Sequence, residues 1–212
     1  MYKATHLISI APGTDEAARN DLIGRLQASA PSAARVHVAP TLPGVFNGRD
    51  LIVHHQFENA AGWNAARSAV DALLADPLVS GSERVAYEDV LVRDADRTDA
   101  GGGVYRALLL SVRPGVEEDR VRRFETELAE MPSYIRSIRN WQLSRVAEAD
   151  GTRPWTHVWE QEYDSMDGLM GPYMIHPHHW AWIDRWFDPE STDWIVDTQL
   201  CHTFCAIEDP II

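Results

Sequence analysis

The chain carries one pattern of features twice, and an internal repeat narrows the possible architectures more than any single motif does. YKATHLISIAPGTDEAARNDLIGRL at residues 2–26 returns as YRALLLSVRPGVEEDRVRRFETEL at residues 105–128. Each copy is an apolar run, a Pro-Gly turn and an acidic start to a helical pattern. In the second copy Val121, Phe124 and Leu128 recur at helical spacing among charges. DLIVHHQFENAAGW at 50–63 parallels WTHVWEQEYDSMDGL at 155–169. Both read as an alternating strand, a polar break with Asn59 or Ser165 as N-cap, and a new helix. Each half closes on a strand, VAYEDVLV at 85–92 and WIVDTQLCHTF at 194–204. A weaker strand, RVHVA at 35–39 and NWQLSRV at 140–146, precedes the third element.

The order per half is β-α-β-β-α-β, a ferredoxin-like unit. Its helices cover one face of its sheet, so two such sheets packed together bury what each leaves bare. The expected fold is α+β, with two ferredoxin-like units forming an intramolecular dimeric α/β barrel. Residues 1–93 would be the first half, 94–103 a linker and 104–212 the second half. The linker reading rests on RDADRTDAGGGV at 93–104, which is charged and then glycine-rich. Since the barrel interface is satisfied within one chain, a monomer or a homodimer is expected.

Charge excludes whole classes of partner. Nineteen basic against 32 acidic residues give a formal net charge of −13, which repels nucleic-acid phosphates and anionic lipid surfaces. No apolar run approaches the roughly 18 residues of a membrane span, and the N-terminus does not look like a signal peptide. The chain therefore reads as a soluble cytoplasmic protein whose partner is a small molecule, with no nucleic acid and no membrane. Cys201 and Cys205 lie four apart in a strand-like segment, too far along the strand axis for a disulfide.

The stretch YMIHPHHWAWIDRWF at 173–187 concentrates the chemistry. With Pro177 as the first residue of an α-helix, His176, His179, Trp180, Ile183, Trp186 and Phe187 fall within one stripe, and His178 and Arg185 point away. A metal site would need His176, His179 and a distant histidine such as His157 or His202. Carboxylates at matching spacing are missing, so no metal is expected. The bland alternative is a packed helix entry whose histidines are satisfied by backbone. The chemical alternative is a neutral histidine in an apolar pocket acting as general base, with the Tyr173 phenol donating to a carbonyl oxygen as it gains charge. His157 begins a strand whose face also carries Trp159, Gln161 and Tyr163.

Over residues 104–208 the chain resembles the stress-responsive A/B barrel (Dabb) family. The carrying residues are Thr156-His157, Tyr173-Met-Ile-His176-Pro177-His178-His179 and Trp194-Ile-Val-Asp197. The first half matches in pattern only, with Asp76-Pro77 where the second has His176-Pro177. The resemblance implies cofactor-free, metal-free chemistry like that of the family's polyketide cyclases of the olivetolic acid cyclase type. It carries the catalytic tyrosine to Tyr173 and the catalytic histidine to His179. It places His176 and His157 in the pocket, and the tryptophans Trp159 and Trp180 and the strand residue His202 join them as candidate substrate-binding residues. The expected activity is a lyase or aldol-type cyclase acting on an aromatic or polyketide-like substrate. The rivals are a non-catalytic ligand-binding stress-response protein and a cofactor-free ferredoxin-like monooxygenase.

Overall fold

The computed structural model describes residues 1–88, 90–95 and 102–212. In the first half the elements run β1 (Tyr2–Ile10), α1 (Glu16–Gln27), β2 (Arg35–Pro40), β3 (Leu51–Phe57), α2 (Ala60–Leu74) and β4 (Val79–Tyr87). After β5 (Val90–Ala95) the order repeats: β6 (Gly103–Leu110), α3 (Glu118–Tyr134), β7 (Asn140–Arg145), a short β8 (Glu148–Asp150), β9 (His157–Tyr163) and β10 (Cys201–Ile207). The sheets are ordered β2-β3-β1-β4-β8 and β10-β6-β9-β7-β5. Without the edge strands β8 and β5, both have the strand order of a ferredoxin-like unit, so the chain holds two of them.

Local chemistry sets the repeat. Gly13 and Gly115 take φ of 86° and 82° in the two Pro-Gly turns, the left-handed conformation that glycine adopts without a steric cost. The Asn59 side chain caps α2 by accepting from the Gly62 N–H at 3.2 Å. In α3, Val121, Phe124, Leu128 and Met131 bury one stripe.

The two sheets close into one barrel along both seams. At one seam β4 pairs with β8, and farther along β5 pairs with β7, so two neighbouring stretches of chain cross together from sheet to sheet. At the other, Leu42 N–H donates to the Phe204 carbonyl at 3.0 Å, and Phe46 and His202 exchange backbone bonds at 2.9 and 2.8 Å. Inside the barrel Leu7, Ile52 and Val85 meet Leu109, Val158 and Cys205. A polar cluster joins the halves there. Lys3 lies 3.1 Å from Glu160, and the Tyr105 hydroxyl donates to the same carboxylate at 2.8 Å.

Three sequence expectations differ from the structure. The run 85–92 is not one strand. It splits into β4 and β5 on different sheets, because the barrel seam requires the chain to change sheet between them. The closing strand is β10 from Cys201, while Ile195 and Val196 are held by the Trp186 carbonyl at 3.1 and 3.0 Å. The stretch around Pro177 is not a regular α-helix: π-helical turns at Leu169–Tyr173 and His178–Ile183 are followed by a 3-10 turn at Asp184–Trp186. Pro172 and Pro177 each remove a backbone donor there, which favours irregular turns over an α-ladder. Of the expected linker, residues 96–101 lie outside the described residues.

Candidate functional site

A cavity of about 330 Å³ lies between the second sheet and the helical segments above it. Its floor is the helix-facing side of that sheet. Arg106 on β6 pairs with Gln161 on β9, and Leu108 stands between His202 on β10 and Trp159 on β9. Its roof comes from the irregular 169–187 region, with Tyr173, His179, Ile183, Asp184 and Phe187. Phe46, from the first half, reaches the rim.

Tyr173 and His179 meet at the roof with ring centroids 4.5 Å apart. Tyr173 is 3% exposed. Burial raises its phenol above the ordinary value, against an opposing pull from Arg106, so the hydroxyl stays a donor. Burial, helped by the Arg106 charge, lowers His179 to about 4, which keeps the imidazole neutral near pH 7. His202 falls to about 2 for the same reasons, with His179 adding to them. The Asp184 carboxylate lies 3.8 Å from His179 Nε2, and burial raises its pKa.

The structure brings together Tyr173, His179, Trp159 and His202. It does not bring His157, His176 or Trp180 to the cavity lining. His157 is buried elsewhere on β9, bonded to Glu125 at 2.9 Å and to Thr156 at 2.8 Å. His176 Nδ1 accepts from the His178 N–H at 3.1 Å and caps a local turn. Trp180 is 58% exposed and donates to the Ile175 carbonyl. The reason for Trp180 is the π-helical geometry. An α-wheel puts Trp180 on the buried stripe and His178 opposite, whereas His178 instead stacks on Tyr134 at 4.1 Å.

The sequence patterns do not single out Arg106, Asp184 or Phe46. Arg106 had a readable signal, since it is the single charge within the apolar run YRALLL. Aligning the copies on their Pro-Gly turns sets Arg106 against Ala4 and points it toward the helices. Aligning the two tyrosines instead shifts the register by one and sets it against Lys3, which faces the barrel interior. Phe46 arrives through long-range seam pairing that no local pattern reports.

Residues 104–197 match the family model described as the Stress responsive A/B Barrel Domain. No curated protein matches the chain. Among solved structures, an anthrone oxidase-like protein is 10% identical with a TM-score of 0.67, covering 97% of this chain and 90% of that one. A major regulator of staphylococcal pathogenesis is 10% identical with a TM-score of 0.52, covering 97% and 98%. A hydroxynitrile lyase from Passiflora edulis is 11% identical with a TM-score of 0.41, covering 52% and 97%. At such identities the first two show a shared fold spanning the whole chain.

Proposed function

We propose that this chain, whose residues 104–197 match the stress-responsive A/B barrel domain, is a small-molecule enzyme that removes a proton next to a carbonyl. The carrying observation is that the Tyr173 and His179 rings lie side by side, centroids 4.5 Å apart, in a cavity with largely apolar walls. Neutral His179 takes the proton from carbon, and the C–H electron pair moves into the enolate. The Tyr173 hydroxyl donates to the enolate oxygen. The enolate carbon then attacks a second carbonyl, whose π pair becomes an alkoxide that takes the proton back from His179, which is aldol cyclisation. Run in reverse, the same two groups support carbon–carbon cleavage. Neither direction changes oxidation state or needs a cofactor.

The low basicity of His179 has a mechanistic consequence. A base works best with its pKa near the operating pH, and at about 4 His179 is a weak one. Stabilisation at the oxygen therefore has to lower more of the barrier. Tyr173 supplies one donor, and the Arg106 guanidinium carbon lies 5.1 Å from the Tyr173 ring centroid.

The test is deuterium uptake from D2O at the methylene of phenylacetone, a neutral enolisable aryl ketone, followed by NMR. Wild type should accelerate exchange. His179→Ala should lose roughly 10²- to 10⁴-fold, and Tyr173→Phe should lose roughly 10²- to 10³-fold. His54 and His55, in the first half, should tolerate substitution with little effect on rate. Full activity in folded His179→Ala and Tyr173→Phe proteins would leave the segment as packing alone.

A further inference from the structure

The fold keeps a second buried arginine that shows how this chain treats a cation held for structure. Arg84 on β4 is 5% exposed and is bound by Asp71 at 2.5 Å and Asp150 at 2.9 Å. Arg106 is 4% exposed. Among the described residues its polar partners are neutral, the Gln161 side chain and the Tyr173 phenol, and its Nε has no hydrogen-bond partner. A buried cation without a counter-charge is unfavourable unless something else supplies one.

Other nitrogens around the same cavity are in a similar state. Trp159 Nε1, His179 Nδ1 and His202 Nε2 belong to lining residues, and Gln161 Nε2 belongs to the neighbour of Arg106 on the sheet; among the described residues none has a partner. The Arg, Trp and Gln groups can only donate. Such atoms are normally satisfied when buried, so a concentration of donors around one cavity points to an acceptor-rich occupant. The sheet register arranges them in two adjacent rows. Arg106 lies beside Gln161, and Trp159 and His202 flank Leu108.

Deepening the proposed function, on which it rests for the identity of the site, we infer that the cavity takes an aromatic carboxylate whose oxygens are bound at Arg106 and whose apolar body lies against Leu128, Ile183 and Phe187. One guanidinium suits one carboxylate, which it can grip through two parallel N–H donors. A phosphate dianion would find one cation only. In the first half Ala4 occupies the equivalent place, and Trp63 fills the space between sheet and helices, packed against Phe57 at 5.9 Å. The anion site therefore belongs to the second half.

Binding tests this without turnover. Calorimetric titration of the full chain with 3-phenylpropanoate, its amide and inorganic phosphate should show the carboxylate favoured over the amide by about tenfold or more, with no binding of phosphate. Arg106→Gln should bring carboxylate and amide to equal affinity while its thermal midpoint confirms a folded protein. In wild type, the arginine Nε–H resonance should shift on adding the carboxylate and stay in place with the amide, a readout that does not depend on the variant folding. An amide that binds as tightly as the carboxylate, a carboxylate that does not bind at millimolar concentration, or a preference kept in folded Arg106→Gln would overturn the assignment. The exchange test uses a neutral ketone, so failure of the catalytic reading and failure of the anion site show separately.

Discussion

Acid should unfold this protein unusually steeply, because it buries neutral histidines. His6, His54 and His55 are each 0% exposed. Burial drives all three below the ordinary 6.5, His55 to about 4 and the other two well below the ordinary value. Their folded values lie below their unfolded ones, so between these limits the unfolded chain binds more protons. The stability they contribute is complete above pH 6.5 and is lost as pH falls toward 4. Each such histidine contributes a slope of about 1.4 kcal/mol per pH unit. These three give about 4 kcal/mol per unit, His179 and His202 add to it in the same direction, and His55 alone loses about 3 kcal/mol across its window. A domain's whole stability is about 5 to 15 kcal/mol, so a few pH units exhaust it. Thermal midpoints followed by circular dichroism should fall by roughly 10 °C per pH unit below about pH 6. His55→Gln should make that slope shallower whatever its effect on stability at neutral pH. A midpoint that stays flat between about pH 7 and about pH 5, or a slope unchanged in His55→Gln, would refute the reasoning.

Further expectations concern single contacts. Lys3→Met leaves the Glu160 carboxylate inside the barrel without its cation and should cost about 3 to 5 kcal/mol in denaturant unfolding. Removing the α2 cap with Asn59→Ala should cost about 1 kcal/mol in the same assay. His157→Gln removes the bond to Glu125 and should lower stability while leaving the exchange rate per folded molecule unchanged, since His157 does not line the cavity.

The sequence reveals the fold wherever a local rule has no competitor. Pro12-Gly13 and Pro114-Gly115 mark matching turns, Asn59 caps a helix, and the runs at 51–57 and 157–163, rich in β-branched and aromatic residues, form strands. What it conceals is non-local. Nothing in VAYEDVLV says that Tyr87 ends one sheet and Val90 joins another, because the barrel seam makes that choice. The candidate site divides in the same way. Tyr173 and His179 share a motif, whereas Trp180 leaves the face an α-wheel assigns it because Pro172 and Pro177 open the helix into π-helical turns and rotate the side chains beyond them. Arg106 was visible as a charge in an apolar strand, yet its face depends on a one-residue choice of register that only the paired strands resolve.

The proposed chemistry needs a neutral, dry His179 acting on carbon beside Tyr173. Its most direct test is the pH dependence of phenylacetone deuteration by wild type, with folded His179→Ala as the reference. With His179 at about 4, the His179-dependent rate should be level from about pH 6 to about pH 8, where an ordinary histidine changes charge. A rate that falls through a midpoint near 6.5, or one that His179→Ala retains in full, would contradict it.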